Sequence, residues 1–317
     1  MNSSNPAPPS LKFVDPDVTI DGKTRASVPL AALRTLWFNT GTLCNLTCAH
    51  CYIESSPRND ALVYLTPAEV ADYLGQIEAL GLPTQEIGYT GGEPFMNPSI
   101  IELLTTSLAR GYRTLVLTNA MRPMTRHADA LLALRALYGS RLVVRVSLDH
   151  HRPELHEEER GAKTWTPTLQ GLKWLSDNGF AINVAGRLRW GDADASMRDG
   201  YRALFAAEGI AIDADDPVSL VLFPEMDMTA SVPEITTECW RILGKNPADV
   251  MCASSRMVIH RRGESSASVV SCTLLPYDAR FALGPRLADA LGPIKLNHPH
   301  CAKFCVLGGG RCSVPST

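Results

Sequence analysis

The chain has no apolar run near the eighteen or so residues of a membrane-spanning helix, so no membrane partner is expected. Its opening stretch, MNSSNPAPPSLKF, carries neither a basic segment nor an apolar core, which argues against a secretory signal and for a loose arm. No charge of one sign dominates. The net charge is −3 over 317 residues, which supplies no general attraction to nucleic acid or anionic lipid. Low-complexity tracts are missing and 45% of the residues are hydrophobic, so the chain is expected to fold around a full core. What it does have is cysteine. Nine cysteines without an export signal point to the reducing cytoplasm, where clustered thiols bind metal or do redox chemistry more often than they pair as disulfides.

Extended apolar segments alternate with helical patterns after the arm. Strands are expected at 36–40, 86–90, 114–118, 142–148, 181–188 and 218–223, and helices at 67–80, 98–110, 126–138, 166–178 and 197–207. Thr66-Pro67 followed by Glu69, and Asn97-Pro98, read as helix starts, while Gly81, Gly111 and Gly179 stand where helices end. Strand–helix alternation at this spacing implies parallel strands with right-handed crossovers, either a doubly wound sheet or an open, partial (βα)6 barrel. Beyond Pro224 the texture changes to turns and six of the nine cysteines, so a small Cys-rich α+β unit is expected at 236–317, after an arm at 1–32 and a core at 33–235. A piece so short has a thin core of its own, and a metal staple suits it.

The most informative stretch is CNLTCAHCY, from Cys44 to Tyr52, where three cysteines follow a strand. A metal site short of one ligand, a disulfide with a spare thiol, and three unrelated core cysteines compete; the reducing compartment disfavours the disulfide. Spacings of three and then two residues do not fit the paired knuckles of structural zinc. Three thiolates on a four-iron cluster leave one iron open to a ligand that is not protein.

These residues resemble the signature of the radical S-adenosylmethionine (SAM) enzymes, in which the position of His50 is usually aromatic or His. The resemblance continues over residues 33–224. TGGEPF, Thr90–Phe95, is similar to the family's Gly-Gly-Glu motif: Gly91 and Gly92 would let the backbone approach the cofactor, and Glu93 would help hold its amino group. VLTNA ends a strand at Asn119, and RVSLDHHRPELHEEERG resembles the family's Ser-Leu-Asp stretch with a later Arg-Gly. By that resemblance Asn119, Ser147 and Asp149 line the ribose and methionine carboxylate, and Arg160 offers a carboxylate a bidentate partner. The resemblance implies a partial (βα)6 TIM-like barrel. It also implies a [4Fe–4S] cluster on Cys44, Cys48 and Cys51, and reductive cleavage of SAM to a 5′-deoxyadenosyl radical that abstracts hydrogen from substrate. A small electron donor such as flavodoxin or ferredoxin is the implied reductant.

Cys252, Cys272, Cys301, Cys305 and Cys312 resemble the shortened auxiliary-cluster ("twitch") region of some of these enzymes, with 258–272 as its hairpin. Four ligands saturate one cluster; Cys252, Cys272, Cys301 and Cys305 are the expected set, with Cys312 as the substitute. Zinc is the alternative metal, and His298 and His300 could join such a site. Cys239 reads first as a buried small hydrophobe and second as a hydrogen-atom donor of the kind found in radical SAM epimerases. HHRPELHEEER reads as a solvated charged helix start, and Gly308–Gly310 lacks the strand–helix context of a phosphate loop.

The expected function is a cytoplasmic radical SAM enzyme acting on a small molecule or a peptide. Oxidation through the auxiliary cluster ranks ahead of crosslinking within a peptide and of epimerisation. Peptide-modifying relatives often carry an N-terminal winged-helix recognition domain, and the stretch before Leu36 is too short for one, so recognition of a peptide would need a separate chain. A non-catalytic redox sensor or partner-binding iron–sulfur or zinc protein would explain the cysteines but leave TGGEPF, Asn119 and the Ser-Leu-Asp stretch without work.

Overall fold

The structure, a computed structural model, describes residues 12–225 and 231–310. In chain order it contains β1 (Ser27–Val28), β2 (Thr35–Asn39), α1 (Pro67–Ala79), β3 (Glu86–Thr90), α2 (Ile100–Ala109), β4 (Arg113–Thr118), α3 (Arg122–Thr125), α4 (Ala128–Tyr138), β5 (Leu142–Ser147), α5 (Pro153–Arg160), α6 (Trp165–Asp177), β6 (Ala181–Leu188), α7 (Asp194–Glu208), β7 (Leu220–Pro224), α8 (Cys239–Leu243), β8 (Ser255–Ile259), β9 (Ser268–Val270), β10 (Ala282–Gly284) and β11 (Ile294–Lys295).

Strands β2 to β7 lie side by side in sequence order and all run parallel. A doubly wound sheet reverses direction at a switch point; this order never reverses, so right-handed crossovers keep every helix on one face and the sheet is the partial barrel. Alternation along each strand separates two cores. Leu36, Phe38, Val116 and Val144 face the helices, while Trp37, Leu115 and Val143 face inward. The inward layer is completed by the N-terminal arm, through Phe13 and Val28, and by the C-terminal stretch, through Met257, Phe281 and Phe304.

Local signals behave as their chemistry requires at α1, where Thr66 and Glu69 form a reciprocal capping box and Pro67 opens the helix. Three expectations shift. Asn97 does not cap α2, which starts at Ile100. Its amide is instead buried, accepting from the Ser99 N–H at 2.9 Å and donating to the Leu65 and Thr40 carbonyls. The single helix expected at 126–138 is two, because α3 uses Pro123 as its own start and the chain turns again at His127. The charged stretch after Leu148 is a helix, α5, solvated on one face only: Glu154 and Glu158 are exposed, whereas His156 and Glu159 are fully buried. The C-terminal hairpin forms as expected, with β8 antiparallel to β9, and β8 adds in parallel to the free edge of β2. Strands β8, β9 and β10 therefore share one sheet with the barrel.

In the inward layer Gly88 of β3 lies against the ring of Trp37 of β2. A Cβ on Gly88 would stand 2.3 Å from the indole ring, which is fully buried. Gly88→Ala is expected to lower stability by about 1–3 kcal/mol. The midpoint of denaturant unfolding measures this, and an unchanged midpoint would show that the ring has room to give way.

Candidate active site

The carboxyl ends of the parallel strands open into a cavity. Cys44, Cys48 and Cys51 all line it, on the loop that leaves β2, and so do Gly91, Gly92, Asn119, Ser147, Asp149 and Arg160. Residues scattered over more than a hundred positions thus meet because they follow the ends of successive strands, with Arg160 brought in by α5.

Two amide groups already aim at the sulfurs: Leu46 N–H donates to Cys44 Sγ at 3.4 Å and Ser55 N–H to Cys51 Sγ at 3.3 Å. Burial pushes the Cys44 thiol up to about 12 and raises Cys48, with the Arg160 charge pulling Cys48 the other way. A thiolate at this depth needs a cation beside it, and an iron–sulfur core supplies one. Among the described residues no three His, Cys, Asp or Glu side chains converge as they would around a single ion; a cubane spreads its thiolates over separate corners. Three clustered thiols, flanking amide donors, and a charged, partly apolar cavity are a donor set that fits a cluster with SAM against it.

The two glycines work differently from the expectation. A Cβ on Gly92 would stand 2.2 Å from the Leu43 carbonyl oxygen, and one on Gly91 would stand 2.5 Å from that of Gly41. The Gly92 and Glu93 amides donate to those same carbonyls at 2.8 and 3.1 Å. The glycines therefore admit the backbone of the cysteine loop, and their φ of +143° at Gly91 is open only to glycine. The Glu93 carboxylate is 2% exposed and accepts from Thr118 Oγ1 at 2.8 Å, the Asn119 N–H at 2.8 Å and the Phe95 N–H at 3.2 Å. It braces the ends of β3 and β4 against each other. Asn119 in turn donates to Asn45 of the loop at 2.9 Å.

Asp149 is buried between two guanidinium groups, Arg160 Nε at 2.5 Å and Arg187 Nε at 3.3 Å. Burial works against its ionised form, but Arg160 and Arg187 outweigh it and hold the carboxyl below the usual range. Arg160 is thus already engaged by a carboxylate of the protein. Two residues were not singled out by sequence. Glu159 receives the His50 N–H and its Nδ1, both at 3.0 Å, while its own carbonyl accepts from Ala49 N–H at 2.8 Å. Arg187 bridges Glu159 and Asp149, donates to the His50 carbonyl at 3.0 Å, and stacks 4.2 Å above Tyr52. Only Arg187 carried a signal, as a polar residue near the carboxyl end of a strand.

Of the C-terminal cysteines, Cys252, Cys272 and Cys301 are buried together; burial suppresses the ionisation of all three, Cys272 adds to this at Cys252 and Cys301, and Cys252 is pushed up to about 12. Cys305 is half-buried against the same core, one turn on from Cys301 in a π-helix at Cys301–Leu307. Cys312 lies outside the described residues. Cys252 precedes β8 and Cys272 follows its antiparallel partner β9, so both sit at the amino end of the strand beside β2, whereas Cys44 follows the carboxyl end. A five-residue strand, about 17 Å, separates the two ends. His298 and His300 pack edge to face near Cys301, and Cys239 lies at the start of α8 with its sulfur accepting from Thr236 N–H at 3.4 Å.

Two outcomes follow from this geometry. Glu159→Ala takes from the buried Arg187 guanidinium one of its two carboxylate partners. It is expected to cost about 3–5 kcal/mol and to lower the iron retained by the Cys44 loop; full iron retention would show that the loop needs no such tie. Burial pushes Glu93 from 4.5 up to about 7, so the folded chain binds that proton more tightly than the unfolded one. Its contribution to stability is present below about pH 4.5 and is lost as pH rises through 7. Thermal unfolding of the metal-free chain between pH 5 and 8, compared with Glu93→Gln, isolates this decline; parallel curves would place the Glu93 proton elsewhere.

Comparison with known proteins agrees with the geometry. Residues 38–192 match the family model described as the Radical SAM superfamily. The antilisterial bacteriocin subtilosin biosynthesis protein AlbA of Bacillus subtilis (strain 168) is 34% identical over 169 residues, covering 53% of this chain and 35% of AlbA. The match thus spans about a third of that curated relative's length. Two solved structures share the fold: Streptococcus suis SuiB bound to precursor peptide SuiA, with a TM-score of 0.52, 13% identity, and coverage of 80% of this chain and 62% of SuiB, and anSMEcpe with bound AdoMet, with a TM-score of 0.57, 14% identity, and coverage of 81% and 76%. No helix among the described residues is long and apolar enough to cross a membrane. With its three-thiol loop, glycine pair and strand-end polar residues in one cavity of a partial barrel, the chain carries over residues 38–192 the domain of the radical SAM superfamily, whose members use a [4Fe–4S] cluster and S-adenosylmethionine.

Proposed function

We propose that the chain is a radical SAM enzyme that binds a [4Fe–4S] cluster through Cys44, Cys48 and Cys51 and S-adenosylmethionine in the adjoining cavity. The observation that carries this is the meeting of the three thiols with Gly91, Gly92, Asn119, Ser147 and Asp149 at one opening. The chemistry supplied by such a cofactor pair, when bound and reduced, is hydrogen-atom abstraction by a 5′-deoxyadenosyl radical. The protein's part is to hold and to exclude. Backbone carbonyls at the end of β3 and the polar ends of β4 and β5 face the cofactor, while Arg160 and Arg187 fix Asp149 so that it offers an ionised acceptor. Trp37, Leu117, Phe223 and Phe304 give the cavity apolar walls that keep stray hydrogen donors away.

The 236–317 stretch serves as an auxiliary-cluster region on Cys252, Cys272 and Cys301, with Cys305 or Cys312 as the fourth ligand. A centre saturated by protein ligands takes up or relays an electron, which makes the enzyme an oxidoreductase. Its reductant is a small donor such as flavodoxin or ferredoxin, and its thiol-bound centres suit the cytoplasm. A peptide is favoured as substrate over a small molecule, because AlbA is named for bacteriocin biosynthesis and the SuiB structure holds a precursor peptide. The product is then an oxidised or crosslinked peptide. Cys239, absent from the cavity lining, leaves epimerisation the weakest outcome.

The deciding experiment is iron and acid-labile sulfide per chain after anaerobic purification, together with release of 5′-deoxyadenosine under dithionite. About eight irons are expected, falling to about four in a Cys44/Cys48/Cys51→Ala variant that no longer cleaves SAM. A wild-type chain that binds iron but never cleaves SAM is a sensor or binding protein, and the enzyme reading fails.

A further inference from the structure

Arg256 of β8 is 0% exposed, and it is among the largest fully buried side chains. Its guanidinium donates to four backbone carbonyls: Ala290 at 2.8 Å, Cys252 at 2.5 Å, Ser255 at 2.8 Å and Gly292 at 3.0 Å. All four acceptors are neutral. The ionisable groups that act on this cation are the thiols of Cys252 and Cys272, whose ionised forms would favour it. A guanidinium buried with hydrogen bonds but no counter-charge is expensive, because carbonyl dipoles do not replace the solvation of a full charge. Burial accordingly draws Arg256 below the ordinary arginine range.

The thiols beside it present the opposite difficulty. Cys252, Cys272 and Cys301 are buried together, and each resists ionisation because of burial first; at Cys252 and Cys301 the neighbouring thiols add to it. An unpaired buried cation and a set of buried thiols that repel once ionised are each unfavourable alone. They are complementary when the thiolates ligate a metal centre whose ligand charge exceeds that of its core, as in an iron–sulfur cube. Arg256 also donates to the carbonyl of Cys252 itself, so its charge is fixed to the ligand frame.

We propose that Arg256 is the built-in counter-cation of the C-terminal thiolate centre and holds its reduction potential up. This rests on the reading of that site as an iron–sulfur centre. A fixed positive charge in a low-dielectric site favours the more negative, reduced form of the cluster, which suits a centre that accepts an electron from an oxidised substrate radical. The carbonyl hydrogen bonds give the guanidinium one orientation, so the field is constant rather than averaged over rotamers.

The test uses the full-length chain with Cys44, Cys48 and Cys51 all replaced by Ala, so that only the C-terminal centre remains. Iron per chain, circular dichroism, and the midpoint potential from a dithionite titration followed by electron paramagnetic resonance are compared for Arg256, Arg256→Lys and Arg256→Met. The expected result is a Lys chain close to the parent and a folded Met chain whose oxidised-to-reduced ratio at a fixed poise rises about tenfold, a downward shift of about 59 mV. Equal potentials in the Lys and Met chains would overturn the proposal. So would a Met chain that cannot fold even when metal-free, since Arg256 would then serve the four carbonyls and not the centre. Absence of iron from the Arg256 parent is a separate failure, and it would overturn the C-terminal iron–sulfur reading itself.

Discussion

The site depends on a buried lattice of two carboxylates and two guanidiniums: Asp149 and Glu159, Arg160 and Arg187. Taken singly, each of these charges would be unfavourable at such depth. Together they satisfy one another, and their remaining donors and acceptors reach out to the cysteine loop through Ala49, His50 and Tyr52. A loop with three thiols has no core of its own. It holds a fixed shape because the ends of β5, α5 and β6 clamp its middle while the end of β3 clamps its start.

The clamp at β3 is of a different kind. Backbone lies on backbone there, with the Gly92 and Glu93 amides donating to carbonyls of the loop and no room for a side chain between. Glu93 then ties the same corner to β4. A carboxylate needed there for bracing is half-way to neutral near pH 7, because burial outweighs its three hydrogen bonds. The loop is thus pinned by short-range geometry on one side and by long-range charge on the other, and the cavity lies between the two.

The C-terminal hairpin extends this arrangement. By pairing with the free edge of β2 it removes an exposed strand edge, and it supplies the inward-facing residues that a six-stranded partial barrel lacks. It also fixes a second group of thiols at the far end of the strand that delivers the first. The two groups are thereby held in one rigid sheet, at a separation set by strand length.

Much of the fold was readable from local chemistry. Hydrophobic alternation located β3 and β6 to the residue, because a buried parallel strand is a short apolar run bounded by turns, and Thr66, Pro67 and Glu69 marked α1 because a capping box needs nothing beyond its own turn. The cysteine loop, Asn119, Ser147 and Asp149 were likewise legible, since residues at the ends of successive parallel strands must converge. Only the tertiary structure decided the rest. Asn97 left its expected cap for two distant carbonyls; Glu159 and Arg160 of α5 turned inward because Arg187 and Asp149 waited for them; and Gly91 and Gly92 proved to make room for a loop fifty residues earlier. Periodicity and capping act within a few residues and are written in the chain, whereas the pairing of buried charges and the close approach of two backbones depend on which strand ends the fold brings together.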